Sequence, residues 1–583
     1  MSKNILILNM TRMGDLIQST SAISGLRKQY PSACITLLVT SVFAEFSKKI
    51  PDIDERVIFD ICQFEHKEQS NGVLWIKLYK YLESLLNELK SKKYDLLINL
   101  SHSKLSAFMI SYLGVKNLRG FGCNGSGDRI TNDPWMQYFG IEQFNRNLNP
   151  FNLVEIFTRG TGSAPEDNPI CIQQDCNDDA PVSELIYHHD IQEKDFLIGI
   201  QAGSSLKDRR WSHRAFADLV DGLVVNHGAK IILFGVSLEK NLAEDIKLLA
   251  KYPNQIIDLT GKTNIEQLTI LVKRCSYLIT NDTGTMHIAA SVGTTIIGLF
   301  FAHAHPFETG PYSPGNLIFQ ARISCAPCSY GVECNNIVCI DKVQPIHILS
   351  MIKIHLEKGE WYLAESMYGM KEVNIYNTYL AEDRRIRLRP LIRHQLGLND
   401  IFREIYSSHW LDSLGAINIE GSVSCDIKTI ILNDYDCERA YDLLGKINEK
   451  ISKLKSIEKL SKEGSLFTAK ISSLCSSNRS VNMGKVNILA KKIELLDENI
   501  SQIGLTNLEL KPITDMFSKR KENFQGNDPI ELSDDTKKCY QSLLRDSQGV
   551  RGLLESVLKF IKSAENNKFQ ANASSFNVEV PGK

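Results

Sequence analysis

The sequence predicts two parallel α/β domains in series, followed by a mostly helical region. Apolar strand-like runs alternate with amphipathic stretches over about residues 1–165, and the alternation starts afresh over 190–355. From about 360 to 570 it gives way to Lys, Glu, Ser and Leu at helical spacing. At 583 residues the chain exceeds one core, which agrees with three or four domains.

The elements follow in order. Residues 4–8 form a short apolar run, 16–30 carry an amphipathic helical pattern, and 34–40 are a second apolar run, which together read as a βαβ unit. A helix over 74–90 and a strand over 94–100 continue the alternation. Residues 163–183 hold Pro165, Pro169 and Pro181 among Asp and Asn without periodicity, and read as a linker. Strands are then expected at 197–201, 230–234, 255–259, 278–280 and 294–300, separated by helices at 212–227, 238–251, 265–274 and 287–291. In the last region Leu444, Ile447, Ile451 and Leu454 keep a 3-4-3 spacing. Leu543, Leu544, Val550, Leu553, Leu554, Val557, Leu558 and Ile561 make a second stripe. The heptad run is short, which favours a packed bundle over a dimerising coiled coil; a homo-oligomer through this region is the alternative. From about Ala571 the tail reads as disordered.

Composition narrows the function. Lys and Arg total 67 against 68 Asp and Glu, a net charge of −1, which argues against a protein dedicated to nucleic acid. The apolar run after Lys3 is too short for a signal peptide, and no stretch approaches the roughly 18–20 apolar residues of a spanning helix. A cytoplasmic location is the expectation. Fourteen cysteines are scattered through the chain except for four between 325 and 339, which is no secreted disulfide framework.

Four constellations carry chemistry. Asn281-Asp282-Thr283-Gly284-Thr285-Met286-His287 sits between two apolar runs, a strand entering a helix. Asp282, Thr283 and Thr285 are cap and hydroxyl residues, Gly284 lets a ligand approach the backbone, and the freed N–H groups suit a diphosphate; the same residues also serve as plain caps. Asn9-Met10-Thr11-Arg12-Met13-Gly14-Asp15 stands where the first strand ends. There Asp15 is a candidate general base or simply a helix cap, and Arg12 steers an anionic acceptor or lies in solvent. Residues 201–211 offer a Gly203-Ser204-Ser205 turn followed by Lys207, Arg209 and Arg210, fixed donors and charge suited to a leaving diphosphate without a metal. Trp211 reads as a core anchor. Phe234-Gly235-Val236-Ser237-Leu238-Glu239 is another strand end, where Glu239 could accept ribose hydroxyl hydrogen bonds.

On Met13-Gly14-Asp15, Gly203-Ser204 with Arg209-Arg210-Trp211, Phe234-Gly235 with Glu239, and the run from Asn281 to Ala290, residues 1–355 resemble glycosyltransferase family 9, the lipopolysaccharide heptosyltransferase group. The resemblance implies a GT-B fold, with the acceptor on the first Rossmann-like domain and a nucleotide-sugar on the second. It also implies inversion at the anomeric centre without a catalytic metal. Carried over by position, Asp15 is the general base and Arg209 binds the departing diphosphate with Ser204 and Ser205 nearby. Glu239 touches the ribose, and Asp282, Thr283, Gly284 and His287 hold the nucleotide phosphates. Two departures stand out: Arg12 replaces a small polar residue, which leaves the acceptor open, and the helical region has no counterpart.

The cysteines Cys325, Cys328, Cys334 and Cys339 have the spacing C-x2-C-x5-C-x4-C, which can close a tetrahedral zinc or iron site of structural kind; reduced thiols without metal are the alternative. A subgroup similar to this family, which modifies autotransporters, uses four cysteines for iron. Arg384, Arg385, Arg387, Arg389 and Arg393 could meet an anionic glycolipid or the inner leaflet as a peripheral contact, or form a solvated, salt-bridged helix face. The leading expectation is transfer of a heptose or related sugar, from ADP-heptose as the resemblance implies, to lipopolysaccharide or another envelope glycan. A protein O-glycosyltransferase acting on flagellin or an autotransporter, and an inactive GT-B scaffold recruiting partners through its helices, are the alternatives.

Overall fold

A computed structural model describes residues 3–64, 72–165, 169–173, 180–415, 426–476, 483–524, 526 and 528–575. The chain divides into two compact units. One comprises Met1–Met136 and Phe151–Ile392, and the other the described parts of Gln137–Pro150, Arg393–Ala416 and Val423–Lys583.

The first unit holds two sheets. In the first, β1 (Asn4–Leu8), β2 (Cys34–Thr40), β3 (Glu55–Phe59), β4 (Leu96–Asn99), β5 (Leu118–Cys123) and β6 (Arg129–Thr131) lie in the order β3-β2-β1-β4-β5-β6. All pairs are parallel except β5–β6. Continuous apolar runs such as Ile5 to Leu8 are buried on both faces, as a parallel sheet covered by helices requires. The helix expected over 16–30 is two helices, Met13–Gln18 and Thr20–Gln29, which places Asp15 inside the first turn.

The second sheet is built from β7 (Leu197–Gln201), β8 (Lys230–Phe234), β9 (Ile256–Asp258), β10 (Tyr277–Asn281), β11 (Thr295–Phe300), β12 (Leu317–Ala321), β13 (Val373–Leu380) and β14 (Ile386–Pro390). Its order is β14-β13-β12-β11-β10-β7-β8-β9. The direction of winding reverses between β1 and β4 in the first sheet and between β7 and β10 in the second. Ligands of open α/β sheets gather outside the carboxyl ends of strands at such switch points. Residues 9–15, 201–211 and 281–287 occupy those ends.

Two expectations need correction. The region after 360 does not begin as helix: β13 and β14 form an antiparallel hairpin on β12, so the α/β unit runs to Ile392 rather than to about 355. Arg384, Arg385, Arg387 and Arg389 therefore lie on a hairpin and not on a helix face, and Arg393 follows it. Arg385 is buried in an ion pair with Glu155, Arg387 faces Asp383 at 3.8 Å, and the Arg389 guanidinium stands 4.1 Å from the centre of the Tyr379 ring.

The second unit is helical, with helices Leu398–Ser413, Ile427–Asp434, Leu444–Ser476, Met483–Thr506, Lys511–Lys521 and Pro529–Ser575. The two predicted stripes pack together: Ile447, Ile451 and Leu454 are buried, as are Leu543, Val550, Leu554, Val557, Leu558 and Ile561. Gly464 is required where Tyr540 crosses, because a Cβ there would fall 2.3 Å from the ring. Residues 137–150, far earlier in the sequence, belong to this unit, with Tyr138 6.0 Å from Trp410 between ring centres and Asn145 donating to Asp515 Oδ2 at 2.9 Å. Helix continues through Ser575 where disorder was expected from Ala571, and residues 576–583 lie outside the described residues.

Candidate active site

The donor-side loop is assembled by Asn281 at the end of β10. Its buried amide donates to the carbonyls of Ala202 at 2.7 Å and Gly203 at 3.3 Å, and its oxygen accepts the Trp211 N–H at 3.3 Å. One side chain thus ties the loop after β7 to the end of β10. Trp211 is a core anchor, as expected, fully buried with its indole N–H donating to the Val343 carbonyl at 3.0 Å.

The next residue, Asp282, pairs with Arg209. The guanidinium Nη2 donates to the Asp282 carbonyl at 2.8 Å and also to its carboxylate, which accepts a second hydrogen bond from the Thr309 hydroxyl at 3.0 Å. Arg209 is accordingly already engaged with an acid, while its Nε is buried without a protein partner. The same holds for Ser204 Oγ, Asp208 Oδ1 and His287 Nδ1. A buried polar atom without a hydrogen bond costs about 1–3 kcal/mol, and a water or polar ligand reaching these loops would offset that cost. Ser205, by contrast, is exposed.

Thr283 is the N-cap residue of helix Gly284–Val292, with its hydroxyl 3.1 Å from that of Thr280 rather than capping the helix. No side chain caps that helix, whose first turn carries the positive end of the helix dipole. Gly284 and Gly14 bring two chain segments close: a Cβ on Gly284 would lie 2.5 Å from Met13 Cε and 3.6 Å from the Gly14 nitrogen, and one on Gly14 would lie 3.0 Å from His287 Cδ2. His287 is buried there, and desolvation lowers its pKa to about 4. It is neutral at pH 7, so it can meet a phosphate only as a hydrogen-bonding group.

Asp15 stands across from this loop. Its Oδ2 accepts the Arg12 N–H at 3.3 Å, the reciprocal contact of a capping box. Burial pushes its carboxyl pKa up, hydrogen bonds from Arg12 and Thr11 oppose the rise, and the Asp282 carboxylate adds to it. The close approach of the Gly14 backbone to Gly284 and His287 brings the Asp15 segment of the first sheet beside the Asp282 loop of the second. The Arg12 side chain is exposed.

Glu239 lies over the Gly203 backbone. Its Oε2 accepts from Gln201 Nε2 at 3.1 Å and from the Val236 N–H at 3.0 Å, while Gln201 Oε1 accepts the Thr285 hydroxyl at 3.2 Å. Gly203 is thus a seat for Glu239. Two residues to which the sequence reading gave no role belong here: Gln201, which bridges Glu239 and Thr285, and Thr309. Neither has a local signal, since both act on partners at least 27 residues away.

The four cysteines are free thiols. Burial raises the Cys328 pKa, and Cys325, Cys339 and Cys334 raise it further. Among the described residues, however, no three His, Cys, Asp or Glu side chains stand at metal-ligand spacing.

Two doubly wound sheets whose loops at residues 9–15, 201–211 and 281–287 gather at the strand ends have the architecture of a GT-B glycosyltransferase. Residues 82–336 match the family model of glycosyltransferase family 9 (heptosyltransferase), and the α/β unit is similar to that family. It is 23% identical over 360 residues to the lipopolysaccharide core heptosyltransferase OpsX of Haemophilus influenzae, covering 61% of this chain and 96% of that one. It is 26% identical to lipooligosaccharide heptosyltransferase 2 of Haemophilus ducreyi, covering 54% and 88%. The crystal structure of a family 9 glycosyl transferase from Veillonella parvula superposes with a TM-score of 0.50 at 21% identity, covering 61% and 98%. No helix among the described residues is long and apolar enough to cross a membrane.

Proposed function

We propose that this chain is an inverting transferase that moves a heptose or related sugar from ADP-heptose to a hydroxyl of lipopolysaccharide or another envelope glycan, at the cytoplasmic face. The observation that carries this reading is the close approach of the Gly14 backbone, next to Asp15, to Gly284 and His287 beside the Asp282–Arg209 pair. Asp15 takes the proton of the acceptor hydroxyl as its oxygen attacks the anomeric carbon. The bond from that carbon to the diphosphate breaks, and the released charge is met by the N-terminus of helix Gly284–Val292 and the remaining Arg209 donors. Glu239 receives the ribose hydroxyls, and the exposed Arg12 meets the acceptor.

A protein acceptor is the second reading, favoured by the helical unit, most of which lies beyond the span matched to the family. Purified full-length chain is offered ADP-heptose with truncated lipopolysaccharide or with candidate proteins, and products are read by mass spectrometry. A mass gain of one heptose on the glycan is expected. Transfer to protein alone replaces the acceptor, and no consumption of ADP-heptose refutes the donor assignment.

A further inference from the structure

The cysteine-bearing loop and the donor site meet on one turn, residues 301–309, that follows β11. On one side of the turn the loop docks through three contacts. The Cys328 N–H donates to the Ala302 carbonyl at 2.9 Å, the Tyr330 ring lies 5.4 Å from that of His303, and the Tyr330 hydroxyl donates to the buried Glu308 carboxylate. Ala302 has a φ of 52°, a left-handed conformation that a non-glycine residue keeps only where its surroundings enforce it. On the other side Thr309, the neighbour of Glu308, donates to the Asp282 carboxylate at 3.0 Å. The turn ends on Gly310, whose carbonyl accepts from Asn152 Nδ2 at 3.0 Å, and Asn152 Oδ1 accepts in turn from Gln18 at 3.3 Å, on the helix of Asp15.

We propose that Thr309 is a positioning residue of the donor site, and that Tyr330 and Glu308 make the cysteine loop the clamp that holds it. The chemistry is a competition for one guanidinium. Asp282 can claim more of the Arg209 donors than Nη2 only by turning, and the Thr309 hydroxyl fixes the carboxylate oxygen Oδ2 against that turn. With Asp282 held, Arg209 Nε stays unclaimed and faces a ligand oxygen. Without the hydroxyl, the carboxylate rotates onto the guanidinium edge and competes with the diphosphate. Thr309 acts through the Asp282 carboxylate, so its effect falls on nucleotide affinity and leaves the chemical step alone. The cysteine loop acquires a role that needs no metal: it braces the turn from behind.

This inference rests on the nucleotide-sugar reading, and ADP binding separates the two. Full-length wild type, Thr309→Val, Thr309→Ser and Tyr330→Phe are titrated with ADP by calorimetry and assayed with ADP-heptose. Thr309→Val is expected to weaken ADP and raise the donor KM about 5–10-fold with kcat within about twofold. Thr309→Ser restores wild-type values, and Tyr330→Phe shifts KM the same way by about 2–3-fold. A purely packing role would move thermal stability and leave the KM-to-kcat split and the serine rescue unseen. Equal ADP affinity in wild type and Thr309→Val, or failure of Thr309→Ser to restore it, overturns the positioning role alone. A wild type that binds no ADP overturns the functional reading and this one with it.

Discussion

Gly203→Ala tests the donor side most directly, because the structure fixes where the added carbon goes. A Cβ at Gly203 would lie 1.8 Å from Glu239 Oε1 and 2.4 Å from Oε2, whereas side-chain carbons keep at least 3.0 Å from such atoms. The carboxylate must retreat by about 1.2 Å, the gap between those two distances. Its Oε2 contacts to Gln201 at 3.1 Å and to the Val236 N–H at 3.0 Å do not survive that displacement. Hydrogen bonds to a charged group are worth about 1.5–3 kcal/mol, and the half-buried position of Glu239 puts these at the lower end. If Glu239 holds the ribose, the donor KM rises by about 10–100-fold, equivalent to about 1.4–2.7 kcal/mol, while kcat changes less than about threefold because Asp15 is untouched. Initial rates against ADP-heptose concentration measure this, and Glu239→Ala supplies the control: on that background Gly203→Ala adds less than about twofold, since the displaced group is gone. A wild-type donor KM in Gly203→Ala, or full additivity with Glu239→Ala, refutes the assignment of Glu239 and of its glycine seat.

Asp15→Asn should lower kcat by about 10²–10⁴-fold with donor KM nearly unchanged, as removal of a general base requires; retained turnover assigns the base elsewhere. The base works deprotonated and burial raises its pKa, so the acidic limb of kcat/KM is expected above the ordinary carboxylate value of 3.8, activity falling as pH drops through it. The same shift means the folded state favours the protonated acid. Asp15→Asn is therefore expected to raise thermal stability at pH 7, an advantage that fades as pH falls through the folded pKa towards 3.8; a less stable variant at pH 7 contradicts the sign. Arg385→Ala leaves the Glu155 carboxylate buried and uncompensated, and should cost about 3–5 kcal/mol in chemical denaturation. A loss below about 1 kcal/mol would show that the pair is hydrated. Metal analysis of chain purified without chelator should give about one equivalent of zinc or iron if the cysteine loop closes on a metal, and Cys328→Ser should abolish it. Less than a tenth of an equivalent makes the thiols structural only.

The legible parts of this protein are those whose cause is local. Strands β1, β2, β7 and β8 show as continuous apolar runs because both faces of a parallel sheet are covered. The Asp282 turn shows because its acidic, hydroxyl and glycine residues are adjacent in the sequence between two apolar runs, although no side chain caps the helix they precede. The hairpin β13–β14 was hidden by charge: Ile386, Arg387, Leu388 and Arg389 alternate with period two, the signature of a strand, yet five arginines in ten residues suggest a helix face. What makes Arg385 bearable inside is Glu155, 230 residues away. Residues 137–150 gave no sign of joining the helical unit for the same reason, their partners being Trp410 and Asp515. Gln201 and Thr309 are ordinary residues until folding brings their partners to them.

The charge balance around the donor loop constrains how a diphosphate can be held. Asp282 offsets Arg209, His287 is neutral, and the Arg210 guanidinium is turned onto the Ser204 carbonyl at 2.6 and 2.9 Å. Asp15 adds a further acid opposite. A site of near-zero net charge cannot draw its ligand by long-range attraction, so affinity has to come from short, directed donors: the N–H groups at the start of helix Gly284–Val292, the Arg209 Nε and the Ser204 hydroxyl. Directed donors reward charge that develops at one position, which is what a leaving diphosphate does and a resting nucleotide-sugar does less. They also resist screening, because buried pairs feel salt far less than exposed ones. The donor KM should therefore change less than about threefold between 50 and 500 mM salt. A tenfold rise over that range would mean that the exposed Lys207 and Arg12, and not the buried donors, capture the nucleotide.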